Sequence, residues 1–297
     1  MFIRIRNSMG WRIVYIDTNS KVTYKNDYLV IKNDAIKMIH ISEIDVLIVA
    51  STQVLISSWA LCECNKRKIK IIFCDERRNP YGEIIPFFGA SNAYRKYGYQ
   101  INWTNKIKQE VTTQILKQKI ENQANFLKKI GKKKEFNQLI KYANEMEIGD
   151  STNREGHAAK VYFGALFGKG FTREIYDDIN AKLNYGYSIL LSYINREIVA
   201  CGYLTMIGIN HHNEYNPYNL SCDLIEPFRV LVDEITYNNI NEPFDAEMKI
   251  KLVRILEKEV KYEKKYYLSD AISLYINNIL NSLTNNDTSK IKLFKYL

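Results

Sequence analysis

The rhythm of apolar and polar positions changes once along this chain, near residue 90. From Trp11 to about Phe88 the apolar residues come in short runs rich in Val, Ile and Tyr, at Arg12 to Asp17, Val22 to Tyr24, Tyr28 to Ile31, Val46 to Val49 and Ile69 to Phe73, separated by Asn, Asp, Ser and Lys. Such runs predict strands. One helix interrupts them: Val54 to Lys66 sets Leu55, Trp59 and Cys62 three to four residues apart, and Lys66-Arg67-Lys68 complements the negative end of its dipole. Turn residues at Asn79-Pro80-Tyr81-Gly82 and Phe88-Gly89-Ala90-Ser91 predict a linker. Beyond it the period lengthens, predicting helices over Asn92 to Lys128, Glu135 to Glu147, Asn153 to Phe167, Asp178 to Val199, Asp223 to Tyr237, Asp245 to Lys261 and Ser269 to Leu283. The expected class is α+β: a small β-rich domain with one helix over residues 1–88, then a larger all-α domain over 89–297.

At 297 residues and 46% hydrophobic composition the chain can bury a substantial core, and its length favours two domains. The net charge of +9 points toward a polyanion. Its distribution is more telling: residues 95 to 141 carry 12 Lys or Arg against 3 acidic residues, the whole excess of the chain in one helical stretch. Cys62, Cys64, Cys74, Cys201 and Cys222 are odd in number and lack zinc spacing, so they read as reduced thiols of a cytoplasmic protein. No apolar run approaches the ~20 residues of a membrane span, and no signal segment opens the chain. Met1 to Ser8, ahead of Met9-Gly10-Trp11, reads as an upstream start or an added leader.

Candidate chemistry lies in three local contexts: Asn-Arg-Glu155-Gly-His-Ala-Ala, Asn-His211-His212-Asn-Glu-Tyr-Asn and Cys-Asp223-Leu-Ile-Glu226-Pro-Phe-Arg229. Two carboxylates and an imidazole from separate segments suit a hard or borderline divalent cation, Mg²⁺ or Mn²⁺. On a helix, Glu155 shares the stripe of Ala158, Ala159, Tyr162, Ala165 and Leu166, where an unpaired carboxylate would cost several kcal/mol. An ion pair with Arg154 or Arg229 would serve equally well there. Asp223 and Glu226 share a helical face, and Pro227 exposes polar backbone beside them. The same segment also makes an ordinary kinked core helix on Leu224, Phe228, Leu231, Val232 and Ile235. Adjacent histidines rarely chelate one ion, so at most one of His211 and His212 is a ligand; His157, opposite Glu155, reads as structural or surface. Nothing near Cys222 would lower a thiol pKa, and no Walker loop, dinucleotide fingerprint or Gly-x-Ser-x-Gly elbow is present.

Together these contexts, with Met9-Gly10-Trp11-Arg12, Gly208-Ile209-Asn210-His211-His212-Asn213-Glu214-Tyr215-Asn216 and Leu220-Ser221-Cys222-Asp223-Leu224-Ile225-Glu226-Pro227-Phe228-Arg229, resemble the CRISPR adaptation integrase, the family of the first Cas protein, and most its type II-A branch. The likeness covers nearly the whole chain. It implies a cytoplasmic prokaryotic protein with an N-terminal dimerisation domain, a helical catalytic domain, and a Mg²⁺ or Mn²⁺ site mapped onto Glu155, His211 and Glu226, with Asp223 and His212 as further candidates. The implied activity is metal-dependent endonuclease and integrase chemistry, inserting short foreign DNA into a CRISPR array by attack of a 3′-hydroxyl on a phosphodiester. Its implied partners are the incoming DNA and repeat array, a second copy of itself, a dimer of the second Cas protein and further type II-A Cas proteins. Lys106, Lys108, Lys117, Lys119 and Arg229 are the candidate DNA contacts. Two other readings stand beside it: a non-catalytic nucleic-acid-binding assembly protein with structural carboxylates, and a phosphoesterase for small molecules.

Overall fold

The structure, a computed structural model, describes residues 3–4, 12–85, 90 and 92–296; Met9-Gly10-Trp11, most of Met1–Ser8 and Phe88-Gly89 lie outside the described residues. The chain divides into two compact units, Met1–Ser91 and Asn92–Leu297.

In the first unit, β1 (Ile3–Arg4), β2 (Arg12–Ile16), β3 (Ser20–Lys25), β4 (Tyr28–Lys32), β5 (Ile36–His40), β6 (Ile44–Val49) and β7 (Val54–Ile56) precede α1 (Ser58–Lys66), β8 (Lys70–Cys74) and β9 (Pro80–Glu83). They form a five-stranded sheet, β1-β2-β6-β8-β9, and a four-stranded sheet, β5-β4-β3-β7. β6 pairs parallel with both β2 and β8 and is buried at every position, which explains the apolar run from Val46 to Val49. The β3–β4 hairpin turns at Asn26 and Asp27, both at positive φ (47° and 62°), the backbone a two-residue hairpin turn demands and Asn and Asp tolerate. Val22, Leu29 and Ile31 of the smaller sheet join Val14, Ile16, Leu47, Val49 and Ile71 of the larger, with Ala60 and Cys64 of α1, in one core.

Three strands differ from the sequence expectation. Val54–Ile56, expected to open the helix, instead pairs parallel with Ser20–Val22. The helix begins only where the Ser57 hydroxyl caps the Ala60 amide, at 3.2 Å. β5, absent from the expected strands, and β9, expected as linker, pair antiparallel with β4 and β8.

The second unit contains α2 (Ala93–Ile101), α3 (Asn105–Lys129), α4 (Lys133–Asn144), α5 (Arg154–Phe167), α6 (Asp178–Ala200), α7 (Asn219–Leu224), α8 (Arg229–Asn238), α9 (Ala246–Val253), β10 (Glu259–Tyr262), β11 (Lys264–Tyr267) and α10 (Leu268–Asn285). The single helix expected over Asn92 to Lys128 breaks at Asn102–Thr104, where Thr104 caps α3 through the Ile107 amide and the buried Trp103 stacks on Tyr203 at 5.7 Å. The helix expected over Asp223 to Tyr237 is interrupted by a 3₁₀ turn at Glu226–Phe228 that carries Pro227 in its first turn. The helix expected to reach Lys261 stops early, and the β10–β11 hairpin follows, so the domain is mostly rather than wholly helical. Its signal was legible, since Val260 and Tyr262 are buried and alternate with exposed Glu259 and Lys261. Along α6, Gly186 admits close packing: a Cβ there would stand 2.4 Å from Val232 and 3.2 Å from Leu252, so α8 and α9 approach its backbone directly.

Candidate active site

The site assembles where α5 begins, where the 3₁₀ turn interrupts α7 and α8, and where a loop returns from α6. The approach to α5 is a sharp turn with Gly149, Asp150 and Asn153 at φ of 71°, 53° and 53°. Asp150 stabilises it by accepting hydrogen bonds from the Arg154 and Glu155 amides at 2.7 and 3.0 Å, satisfying two unpaired donors at the helix start. α5 then buries Ala158, Tyr162 and Leu166, leaving Glu155 one turn from the buried stripe and partly exposed.

Opposite, Glu226 is buried in the 3₁₀ turn. Lys119, rising from α3, lies 2.5 Å from Glu155 Oε1 and 2.5 Å from Glu226 Oε2, so one ammonium joins the two carboxylates. Arg229 Nε reaches Glu226 Oε1 at 3.0 Å. Burial alone would raise the Glu226 carboxyl, but the charges of Arg229 and Lys119 outweigh it and hold it down to about 2. Burial likewise opposes the charged form of Lys119, yet Glu226 and Glu155 keep it above its ordinary value. Behind Glu226, Asn122 donates to the carbonyls of Pro227 and Phe294 and accepts from the Tyr296 amide, tying the 3₁₀ turn and the C-terminal tail to α3.

His211 is set by Asp223. That carboxylate accepts the backbone N–H groups of Ile209, Asn210 and His211 at 2.7, 3.1 and 3.0 Å and lies 2.6 Å from His211 Nδ1. The hydrogen bond raises the imidazole pKa and, in the neutral ring, favours the tautomer with its proton on Nδ1 toward Asp223. A methyl group on Gly208 would collide with the His211 carbonyl (2.4 Å) and the Asp223 carboxylate (2.8 Å), so only glycine lets this loop close so tightly. Buried Gln100 holds the preceding segment by donating to the Leu204 and Ile207 carbonyls and accepting the Leu204 amide.

Beyond Arg229 lies Asp233, fully buried, which accepts from Tyr162 at 2.9 Å and from Tyr187. Burial pushes its carboxyl from the ordinary 3.8 up to about 6, the two tyrosines, Arg229 and Lys119 offsetting part of the rise. Folded protein therefore keeps a proton there that the unfolded chain has already lost, and this residue's contribution to stability falls as pH rises through that window. We expect Asp233→Asn, which has no such proton to lose, to gain on the unaltered protein by roughly 2 kcal/mol between about pH 4 and about pH 7, at ~1.36 kcal/mol per unit. Urea unfolding of both proteins at the two pH values checks this; a constant gap would show that Asp233 does not titrate in the window.

Glu155, His211 and Glu226 thus line one cleft of about 270 Å³ with Lys119, Asp150 and Asn210. His212 lines a neighbouring hollow of about 350 Å³ with Lys108, Asn105, Gln109 and Thr112. His157 is exposed, and the Cys222 thiol is raised by burial. The sequence alternatives for pairing Glu155 are not the ones realised: Arg154 pairs with Glu145 and Arg229 with Glu226. Lys119, expected as a DNA contact, and Asp150, for which there was no expectation, both line the cleft, and neither falls in a motif that marks it for that place. Among the described residues no three acidic, His or Cys side chains are already drawn together closely enough to hold an ion. The Lys119 ammonium lies between two of them. Two carboxylates that already hold a positive charge between them, with an imidazole lining the same cleft, are residue types that fit Mg²⁺ or Mn²⁺.

A β-rich unit is followed by a mostly helical unit that carries Glu155, His211 and Glu226 in one cleft, and comparison with known proteins gives this architecture a family. The family model "CRISPR associated protein Cas1" matches residues 14–247, and the chain belongs to that family. It is 30% identical over 293 residues to the CRISPR-associated endonuclease Cas1 of Neisseria meningitidis serogroup C (strain 8013), covering 96% of each chain. A second relative of that name, from Francisella tularensis subsp. novicida (strain U112), is 27% identical over 80% of this chain and 82% of its own. In fold the chain resembles a casposase bound to integration product, with a TM-score of 0.78 at 17% identity over 94% of this chain and 92% of that one. It also resembles a Cas1 protein from Thermotoga maritima, with a TM-score of 0.75 at 16% identity over 94% and 98%. No helix among the described residues is long and apolar enough to cross a membrane.

Proposed function

We infer that this chain is a metal-dependent DNA integrase and endonuclease that inserts short foreign DNA into a CRISPR array, working as a homodimer with a dimer of the second Cas protein. The observation that carries the reading is the convergence of Glu155, Glu226 and His211, from three separate segments, on one cleft. The names of the relatives support it, as does the fold shared with a casposase bound to integration product and with a chain of a Cas6-RT-Cas1–Cas2 complex, the latter at a TM-score of 0.78 and 20% identity over 99% of this chain and 37% of that one.

Glu155 and Glu226 would hold the ion through carboxylate oxygens and His211 through Nε2. When bound, the ion supplies Lewis-acid polarisation of a phosphoryl oxygen and charge stabilisation for the attacking or leaving oxygen. Asp223 keeps the imidazole in the tautomer that coordinates. The positive charges of Lys119 and Arg229 balance the two glutamates, so an approaching phosphodiester meets no net negative charge at the seat. In the reaction a 3′-hydroxyl of the incoming DNA forms the new P–O bond while the array's own P–O3′ bond breaks and releases a 3′-hydroxyl. No side-chain nucleophile is required, in keeping with a Cys222 thiol that burial holds protonated.

The test is incubation of the purified chain and its partner with a labelled 3′-hydroxyl duplex and a supercoiled repeat-bearing plasmid, with and without Mn²⁺. Joined product only with metal is expected. The pairing of Lys119 with both glutamates favours a second reading, a nucleic-acid-binding assembly protein with purely structural carboxylates. Metal-independent DNA binding with no joining in any condition would decide for it.

The β-rich unit is the expected dimer interface. Strand β5 forms an edge of its sheet and leaves Ile36 and Met38 exposed at 66% and 54%, an apolar edge that a second copy would cover. Sedimentation should report a dimer, and Ile36→Glu with Met38→Glu should shift it to monomer. A monodisperse monomer of the unaltered chain at micromolar concentration would contradict the dimer.

A further inference from the structure

Lys119 stands where the metal reading of the cleft would seat the ion. It belongs to a helix whose surrounding lysines are exposed or half-buried, yet its side chain is only 11% exposed and its Nζ stands 2.5 Å from Glu155 Oε1 and from Glu226 Oε2. Two carboxylate oxygens each 2.5 Å from one atom surround a point hardly larger than the seat of a Mg²⁺ ion, which binds oxygen at about 2.0–2.1 Å. An ammonium and a divalent ion cannot share it. Arg229 does not compete for the same point, because it engages Oε1, the other oxygen of Glu226. The 270 Å³ cleft gives the flexible lysine stem somewhere to move.

We propose that Lys119 is an exchangeable internal cation: it occupies the metal seat in the metal-free protein, keeps Glu155 and Glu226 together against their mutual repulsion, and must leave that seat when the metal enters. It therefore lowers the affinity of the site for the ion and protects the empty site from opening. This rests on the metal reading of the cleft. Once displaced, the ammonium stays within the same cleft as the ion, where it is available to a phosphate oxygen of bound DNA.

The experiment measures Mn²⁺ binding to the full chain without DNA, by loss of the free-ion electron paramagnetic resonance signal, for the unaltered protein and for Lys119→Met, Lys119→Arg and Glu226→Gln. Thermal unfolding of each is recorded with and without Mn²⁺. The expected result is Mn²⁺ binding at least about tenfold tighter in Lys119→Met, as leaving two nearby carboxylates without their cation implies. Lys119→Arg should show no such gain. Lys119→Met should also melt lower than the unaltered chain without metal and gain more from Mn²⁺, a readout available even where the variant is weakened. Equal or weaker Mn²⁺ binding by Lys119→Met, with binding lost in Glu226→Gln, would overturn the exchange and leave the metal site standing. Binding that Glu226→Gln does not change would place the ion elsewhere and remove both.

Discussion

Replacing Glu155 or His211 by Ala should lower Mn²⁺-dependent joining of a 3′-hydroxyl duplex to repeat-bearing plasmid by at least about 10³-fold, since each removes a ligand from a site whose chemistry is electrostatic. Glu226 needs a different substitution. It is buried at 5% exposure and paired with both Lys119 and Arg229, so Ala would strand two cations at a cost of about 3–5 kcal/mol and confound chemistry with stability. Glu226→Gln keeps the shape and should show the same loss of joining. Asp223→Ala should cost less, about 10–100-fold, because Asp223 holds the histidine and its loop rather than the ion. Gel assays of strand transfer, with circular dichroism to verify folding and filter binding to verify DNA retention, decide the matter. Unaltered joining by any of the Glu155, His211 or Glu226 variants removes that residue from the site, and an Asp223 loss equal to theirs makes it a ligand.

DNA affinity should fall by orders of magnitude between low and physiological salt, each phosphate contact adding about −0.9 to the slope of log affinity against log salt. The structure refines which lysines to reverse. At 3.6 residues per turn, Lys106 and Lys117 fall on one side of α3 and Lys108 and Lys119 on nearly the opposite side, so the four do not make one stripe. Lys119 is buried between carboxylates, whereas Lys108 lines the hollow beside the cleft and Lys106 is 82% exposed. Reversing Lys106, Lys108 and Lys117 together, with Lys119 kept, should weaken binding and flatten the slope. Of the single reversals, Lys108→Glu should account for more of the loss than Lys106→Glu. Unchanged affinity and slope in the triple variant would place the DNA path elsewhere and leave this stretch a solvated helical face.

Much of this protein is legible in its sequence, because the signals concerned are local. The change of period near residue 90 marks the passage from β-rich to helical chain, since alternation and a 3.6-residue repeat each bury one face of a different element. Glu155 one turn ahead of buried Ala158 and Tyr162, and Pro227 breaking the helix beside Glu226, are likewise read from neighbours in the chain. Strand Val54–Ile56 was not legible, because only pairing with Ser20–Val22 makes a strand of three apolar residues that scan equally well as the start of a helix.

The composition of the site depended still more on tertiary structure. Sequence offered Arg154 and Arg229 as partners for Glu155, and two histidines for one role. Folding gives Glu155 to Lys119, 36 residues away, and puts His211, with Asp223 against its Nδ1, in the cleft of the two glutamates and His212 in the hollow beside it. Charge pairing at a buried point depends on distances between segments that no spacing along the chain encodes. The sequence therefore determined which residue types were available for metal and phosphate chemistry, while the packing of α3, α5 and the loop from α6 decided which of them meet and placed Lys119 between the two glutamates.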